Sequence, residues 1–160
     1  MFLYHGGLEI VDTPEIRKPN RTLDYGAGFY LTSSLQQASD WVRRKLKNGI
    51  TKGYANIYNY DITHESKLKV LNFDTPSEAW LDFVMSNRMN RDYTHDYDIV
   101  KGPVANDRVY ASFALYEAGL LDKQELIREL KTYKLVNQIL LHTPVSLLSI
   151  SFIEAKEIGI

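Results

Sequence analysis

Hydrophobic and polar positions follow two rhythms along the chain, and the switch from one to the other marks out the elements. Phe2 to His5 reads as a short strand ending in a Gly6-Gly7 turn. Residues 9–27, with Pro14, Pro19 and Asn20, read as irregular, and Phe29-Tyr30-Leu31-Thr32 as a strand. From Ser34 to about Lys47 the spacing turns helical: Leu35, Ala38, Trp41, Val42 and Leu46 form a stripe, Ser34 can cap it, and Gly49 stops it. Tyr54 to Ile62 returns to a period of two, and Val70-Leu71-Asn72 follows as a shorter strand. Thr75-Pro76-Ser77-Glu78 has the form of a capping box with proline at the first helical position, predicting a helix to about Met89. Tyr97 to Val100 predicts a strand before a Gly102-Pro103 turn. Helices are predicted from Asn106 to about Ala118 and from Asp122 to about Leu130, the second opened by a box from Asp122 to Glu125. Val136 to His142 and Ser151 to Ile158 close the chain as strands joined through Thr143-Pro144.

Strands before, between and after helices, without regular βαβ alternation, indicate an α+β fold rather than a doubly wound sheet. No repeat or low-complexity linker divides the sequence, so one domain over residues 1–160 is expected. With 160 residues, 44% hydrophobic and 24% charged, the chain is large enough to form one core without staples. There are no cysteines, which excludes a disulfide scaffold, cysteine-ligated zinc and thiol catalysis. A net charge of −1 supplies no global basic field to recruit nucleic acid. The N-terminal residues lack a charged leader and a long apolar run, and no later run is long enough for a membrane span. The expectation is a soluble, cytoplasmic protein with no membrane partner.

Several familiar motifs fail. Gly26-Ala27-Gly28 invites a dinucleotide fingerprint, but the third glycine should fall at Leu31 and no hydrophobic strand precedes it. His5, His64, His95 and His142 lack the helical spacing of a metal site, so no metal is expected. What remains is a distributed set: Tyr4-His5-Gly6-Gly7, Gly26-Ala27-Gly28-Phe29-Tyr30-Leu31-Thr32 and Asn137-Gln138-Ile139-Leu140-Leu141-His142. In order and spacing these segments resemble the diphtheria-toxin and poly(ADP-ribose)-polymerase-like branch of the ADP-ribosyltransferase superfamily. That branch has a histidine before glycine, a tyrosine in G-x-G-[IF]-Y, and a glutamate opening a late strand. With Asp24-Tyr25-Gly26 and Gly102-Pro103-Val104-Ala105-Asn106-Asp107, the chain looks like a bacterial family of unknown function within it, as a His-Tyr-Gln variant.

The resemblance implies a split, mixed sheet around an NAD cleft, with NAD as co-substrate. It implies transfer of a single ADP-ribose to a macromolecular acceptor, protein or nucleic acid, with release of nicotinamide. A bacterial toxin or effector, with an antitoxin protein as partner, is the setting it suggests. His5 would hydrogen-bond a ribose hydroxyl, and Gly6 would let backbone groups approach the nicotinamide amide. Tyr30, freed by Gly28 and its neighbours for close approach, and Trp41, eleven positions on, would sandwich the ring. Such stacking is worth about 1–3 kcal/mol per ring. Arg17 and Arg21, in the loop between the His5 and Tyr30 strands, would face the pyrophosphate. Each residue has a plainer reading: a turn-capping histidine, a core tyrosine, a tryptophan in a helix stripe, solvated loop arginines.

Gln138 departs from the pattern, since active members place a carboxylate there. Glutamine keeps an acceptor oxygen and loses the charge. For a charge pair ~6 Å apart at an effective dielectric near 20, the difference is about 2.8 kcal/mol, on the order of a hundredfold in rate. Glu129 and Glu154 are the nearest carboxylates in sequence. A binding module for NAD or ADP-ribose without chemistry, and an NAD glycohydrolase, are the alternatives. The basic run Arg43, Arg44, Lys45, Lys47 and Lys52 reads as a solvated face, with a nucleic-acid contact as the sharper option.

Overall fold

A computed structural model of the chain describes residues 1–105, 107–133 and 135–160. The elements are β1 (Phe2–Gly7), β2 (Phe29–Thr32), α1 (Leu35–Lys45), β3 (Lys52–Tyr60), β4 (Val70–Asn72), α2 (Glu78–Met89), β5 (Ile99–Pro103), α3 (Asp107–Glu117), α4 (Lys123–Leu130), β6 (Asn137–Leu141) and β7 (Ile150–Gly159). The strands form one mixed seven-stranded sheet in the order β4-β5-β6-β2-β1-β3-β7. Only β4 and β5 run parallel. The fold is α+β, as the interleaving of the two periodicities predicts.

Strand β1 pairs with β3 along its whole length, from Phe2 to Gly7. On its other side it meets β2 at a single position, Tyr4 opposite Thr32. The sheet is therefore continuous in order but forked between β1 and β2.

Alternation of side chains divides the two faces. On the front, Val42, Ala55 and Ile158 pack α1 against β1, β3 and β7. A separate front cluster, including Tyr25, Trp80, Phe113, Leu126 and Leu140, packs α2, α3 and α4 over the other half. On the back, one cluster runs across the fork: Leu3, Tyr58 and Tyr60 on one side touch Phe29, Leu31, Ile99, Ile139 and Leu141 on the other.

The helix starts follow the sequence closely. Ser34 caps α1 by accepting from Gln37 N–H, and Asp122 and Glu125 close a capping box at α4. At α2 the cap is Ser77, which accepts from Trp80 N–H, so Pro76 precedes the cap instead of opening the helix. The expected cap at Asn106 lies outside the described residues.

Both glycine turns expected at the ends of β1 and β5 are strand instead. Gly6 pairs with Ala55, and Gly102 with Gln138. A Cβ on Gly6 would lie 2.3 Å from Ala38 O, and one on Gly102 would lie 2.4 Å from the Tyr25 hydroxyl. These glycines admit a helix backbone and a phenol against the sheet. Two 3-10 turns that the sequence reading missed, Ile62–Lys67 and Pro144–Ser149, cross the ends of the sheet. Among the described residues, no helix is long and apolar enough to cross a membrane.

Candidate functional site

The fork exposes backbone that a regular sheet would pair. Tyr60 N–H donates to Met1 O at 2.8 Å, which turns the odd-numbered backbone groups of β1 toward β3 and the even-numbered ones toward β2. His142 N–H donates to Asp98 O at 2.8 Å, so the even positions of β6 face β5 and Phe29 and Leu31 take up the odd ones. Tyr30 and Thr32 then present their backbone to β1. Thr32 meets Tyr4, while Tyr30 O meets the imidazole of His5, 2.7 Å from Nδ1. Gly6, which the same register sets opposite Tyr30, faces the fork, and the β1–β2 pairing does not extend to it.

His5 Nδ1 must carry the proton, because a carbonyl only accepts. Nε2 is left as a lone-pair acceptor with no partner among the described residues. The ring stacks on Phe29 with centroids 4.3 Å apart. Burial holds the imidazole pKa below its ordinary value; the bond to Tyr30 O opposes this, and Lys45 and Arg17 add to it. His5 is thus kept neutral, tilted from the back face into the mouth of the fork.

Tyr30 and Gln138 lie on the front face. The Tyr30 hydroxyl donates to Gly26 O at 2.6 Å and accepts from Tyr25 N–H at 3.0 Å. Burial pushes its pKa far above the ordinary phenol range, so it offers a ring rather than a proton. Gln138 is 8% exposed and sits between Thr32 and Gly102 in register. Its amide lies near enough to the Tyr25 hydroxyl to oppose the rise that burial gives the phenol pKa. That hydroxyl also accepts from Trp80 Nε1–H at 2.8 Å and donates its only proton to Pro103 O at 2.9 Å. With that proton committed, the Tyr25 hydroxyl can only accept, so an amide beside it is best placed with its NH₂ toward Tyr25 and Oε1 turned away.

The structure brings His5, Gly6 and Tyr30 together at the fork, with Gln138 one register step along β2. It does not bring Trp41 into ring contact with Tyr30. Trp41 is 37% exposed on α1, with Lys45 Nζ 5.0 Å over its ring. This corrects its placement in the buried stripe, which consists of Ala38, Ser39 and Val42. Gly28 has φ +148°, and a Cβ there would lie 2.4 Å from Leu141 O, so its lack of a side chain lets β2 start against β6. Arg17 is exposed beside Glu15 at 3.8 Å. Arg21 lines a cavity of about 370 Å³ that also takes in Gly26 and Ala27, and it acts electrostatically on Lys45.

Neither neighbouring carboxylate substitutes for the charge missing at Gln138. Glu129 accepts from Tyr133 at 2.7 Å and Ser112 at 3.2 Å, and Glu154 is exposed on β7. Of the basic run, Arg43 pairs with Asp40 and Lys52 with Glu157. Lys45 is the member that acts on His5, and sequence reasoning had grouped it with the solvated face. Tyr25 was also missed as a functional residue. Its one sequence signal was its place in the Asp24-Tyr25-Gly26 segment.

A family model described as "Protein of unknown function (DUF3990)" matches residues 1–152. No curated protein and no solved structure matches the chain.

Proposed function

The chain belongs to the DUF3990 family, and we propose that it transfers ADP-ribose from NAD to a macromolecular acceptor, releasing nicotinamide. The observation that carries this reading is the fork: a neutral histidine, a glycine beyond the end of the β1–β2 pairing and a partly buried tyrosine ring meet where β1 leaves β2. In this reading the nicotinamide carboxamide pairs with the N–H and C=O of Gly6, and Tyr30 holds the ring. His5 Nε2 accepts from one ribose hydroxyl, and Gln138 Oε1 accepts from the 2′-hydroxyl beside the reacting carbon. Trp41 closes the α1 side, and Lys45 with Arg17 faces the pyrophosphate.

The bond from the ribose C1′ to the ring nitrogen breaks, and its electron pair leaves with neutral nicotinamide. The ribose cation is captured by an acceptor nucleophile, whose proton passes to solvent. The hydrogen-bonded sugar hydroxyls favour this developing charge. Without a carboxylate at 138 the site suits single transfers, and the setting we propose is a bacterial toxin or effector restrained by an antitoxin protein.

One observation favours a second reading, a silent NAD or ADP-ribose binding module. The 138 side chain is uncharged and buried beside Tyr25. Incubation with labelled NAD and cell lysate, following label into protein and nucleic-acid fractions, separates the two. Label in either fraction that disappears with His5→Ala supports transfer. Binding without nicotinamide release selects the silent module, and equal free ADP-ribose and nicotinamide select a glycohydrolase. Labelling unchanged by His5→Ala overturns the site.

A further inference from the structure

Arg21 shares the cavity of about 370 Å³ at Gly26 and Ala27 with Lys18 and Arg91. None of the residues lining it is acidic. None of these three cations enters an ion pair among the described residues. The carboxylate Arg21 acts on, Asp24, is held by Arg88 at 3.4 Å and by the Tyr110 hydroxyl at 3.2 Å. Three unneutralised cations around one concave wall make a positive well suited to an anion of more than one charge.

The wall is built rather than incidental. The rings of His95 and His142 lie 4.1 Å apart, tilted by 32° to each other. His95 Nδ1 accepts from Tyr97 N–H at 3.2 Å, and its Nε2 donates to Tyr25 O at 2.8 Å. The nitrogens of His142 face Ala27 O and His95 O. The imidazoles thus fix the wall and leave ligand contact to other groups. Gly26 has φ +90°, and a Cβ there would lie 3.2 Å from Asn87 Oδ1. Asn87 donates its Nδ2 to Phe83 O at 2.9 Å, which leaves Oδ1 as an acceptor. Tyr93, 36% exposed and edge-on to Phe83, offers a flat ring at the lip.

We propose that this cavity binds a nucleoside monophosphate, with phosphate against Lys18 and Arg91, the base on Tyr93, and an exocyclic amine on Asn87 Oδ1. The ligand is either free or the 5′-phosphorylated end of a nucleic-acid strand. The site adjoins the fork through Gly26, whose carbonyl accepts from the Tyr30 hydroxyl, but does not depend on the reading given to His5.

Calorimetric titration of the intact chain with AMP, adenosine, inorganic phosphate and a 5′-phosphorylated tetranucleotide tests it. AMP is expected to bind at least about tenfold more tightly than adenosine or inorganic phosphate. Arg91→Ala, at a position the fork does not use, should weaken AMP at least about tenfold, and Arg91→Lys should recover most of the loss. His5→Ala should leave AMP affinity unchanged while removing NAD labelling. Tighter binding of the tetranucleotide identifies a strand end as the source, and its exclusion identifies the free nucleotide. Absent AMP binding, equal binding of AMP and adenosine, or loss with His5→Ala but not Arg91→Ala overturns the proposal. The NAD reading stands or falls separately, on the labelling experiment.

Discussion

His5 and Tyr30 are joined by a 2.7 Å hydrogen bond from imidazole Nδ1 to a main-chain carbonyl, so a side chain stands where the next rung between β1 and β2 would be. The two ring nitrogens have separate tasks, and substitution can separate them. His5→Ala orphans the Tyr30 carbonyl and should lower stability by about 1–3 kcal/mol. His5→Asn places an amide donor near the position of Nδ1 but nothing at Nε2. It is expected to recover much of the stability in urea unfolding while leaving NAD labelling absent. Recovery of both would show that Nε2 has no role.

Acid should destabilise the fold through the buried imidazoles. Burial lowers the pKa of both His5 and His95 from the ordinary 6.5. Each is then neutral in the fold and takes up its proton first in the unfolded chain. Their contribution is complete above pH 6.5 and declines as pH falls below it toward the folded values. Asp24, pushed up by its own burial, works in the opposite sense at lower pH. Urea unfolding at neutral pH and at about pH 5.5 measures the sum, and a smaller difference in His5→Asn isolates the share of His5.

In the proposed transfer, Gln138→Glu supplies a negative charge beside the developing ribose cation. If charge limits turnover, labelling should rise by up to about a hundredfold. Stability should drop by about 1–3 kcal/mol, because a carboxylate in this buried position faces a hydroxyl already bonded to Pro103 O. Gln138→Leu is expected to abolish labelling. Equal rates in all three proteins would remove residue 138 from the mechanism.

Trp41 gives a clean contrast between packing and binding. A ring this exposed contributes little to folding, so Trp41→Ala should change the unfolding free energy by less than about 1 kcal/mol. If the indole closes on nicotinamide, the same change should weaken NAD binding by about 1–3 kcal/mol. A large loss of stability with unchanged NAD affinity would return Trp41 to a structural role.

Much of this architecture was legible from local chemistry. The caps at Ser34 and Asp122 depend on near neighbours and appear where the residues indicate, while the alternation expected over Tyr54 to Ile62 is a strand from Lys52 to Tyr60, with Ile62 opening a 3-10 turn. What failed to read depends on distant partners. Gly6 and Gly53 look like breakers, yet α1 rests on both: their missing Cβ atoms would strike Ala38 O and Val42 Cγ1. That close approach leaves no room for an indole beneath the helix, which is why Trp41 fits the stripe arithmetic and still lies outside it. Gly102 was read as a turn for the same reason, since the phenol that needs its place comes from Tyr25. Lys45 reads as part of a solvated face and Arg21 as a pyrophosphate contact, while nothing in the sequence links Arg21 to Lys18 and Arg91. Only the folded loop shows which share a wall and which lack counter-ions.

The unequal joining of the two sheet faces has a mechanical consequence. On the back, an unbroken band of aromatic and aliphatic side chains ties the halves like the spine of a book. On the front, each half is bound to its own helices, and among the described residues no buried apolar cluster spans both. Spreading the covers to admit a guest therefore strips little oily surface of its cover, whereas parting the spine would undo the molecule. In the proposed reading, NAD enters and leaves on this front side, toward Gly6.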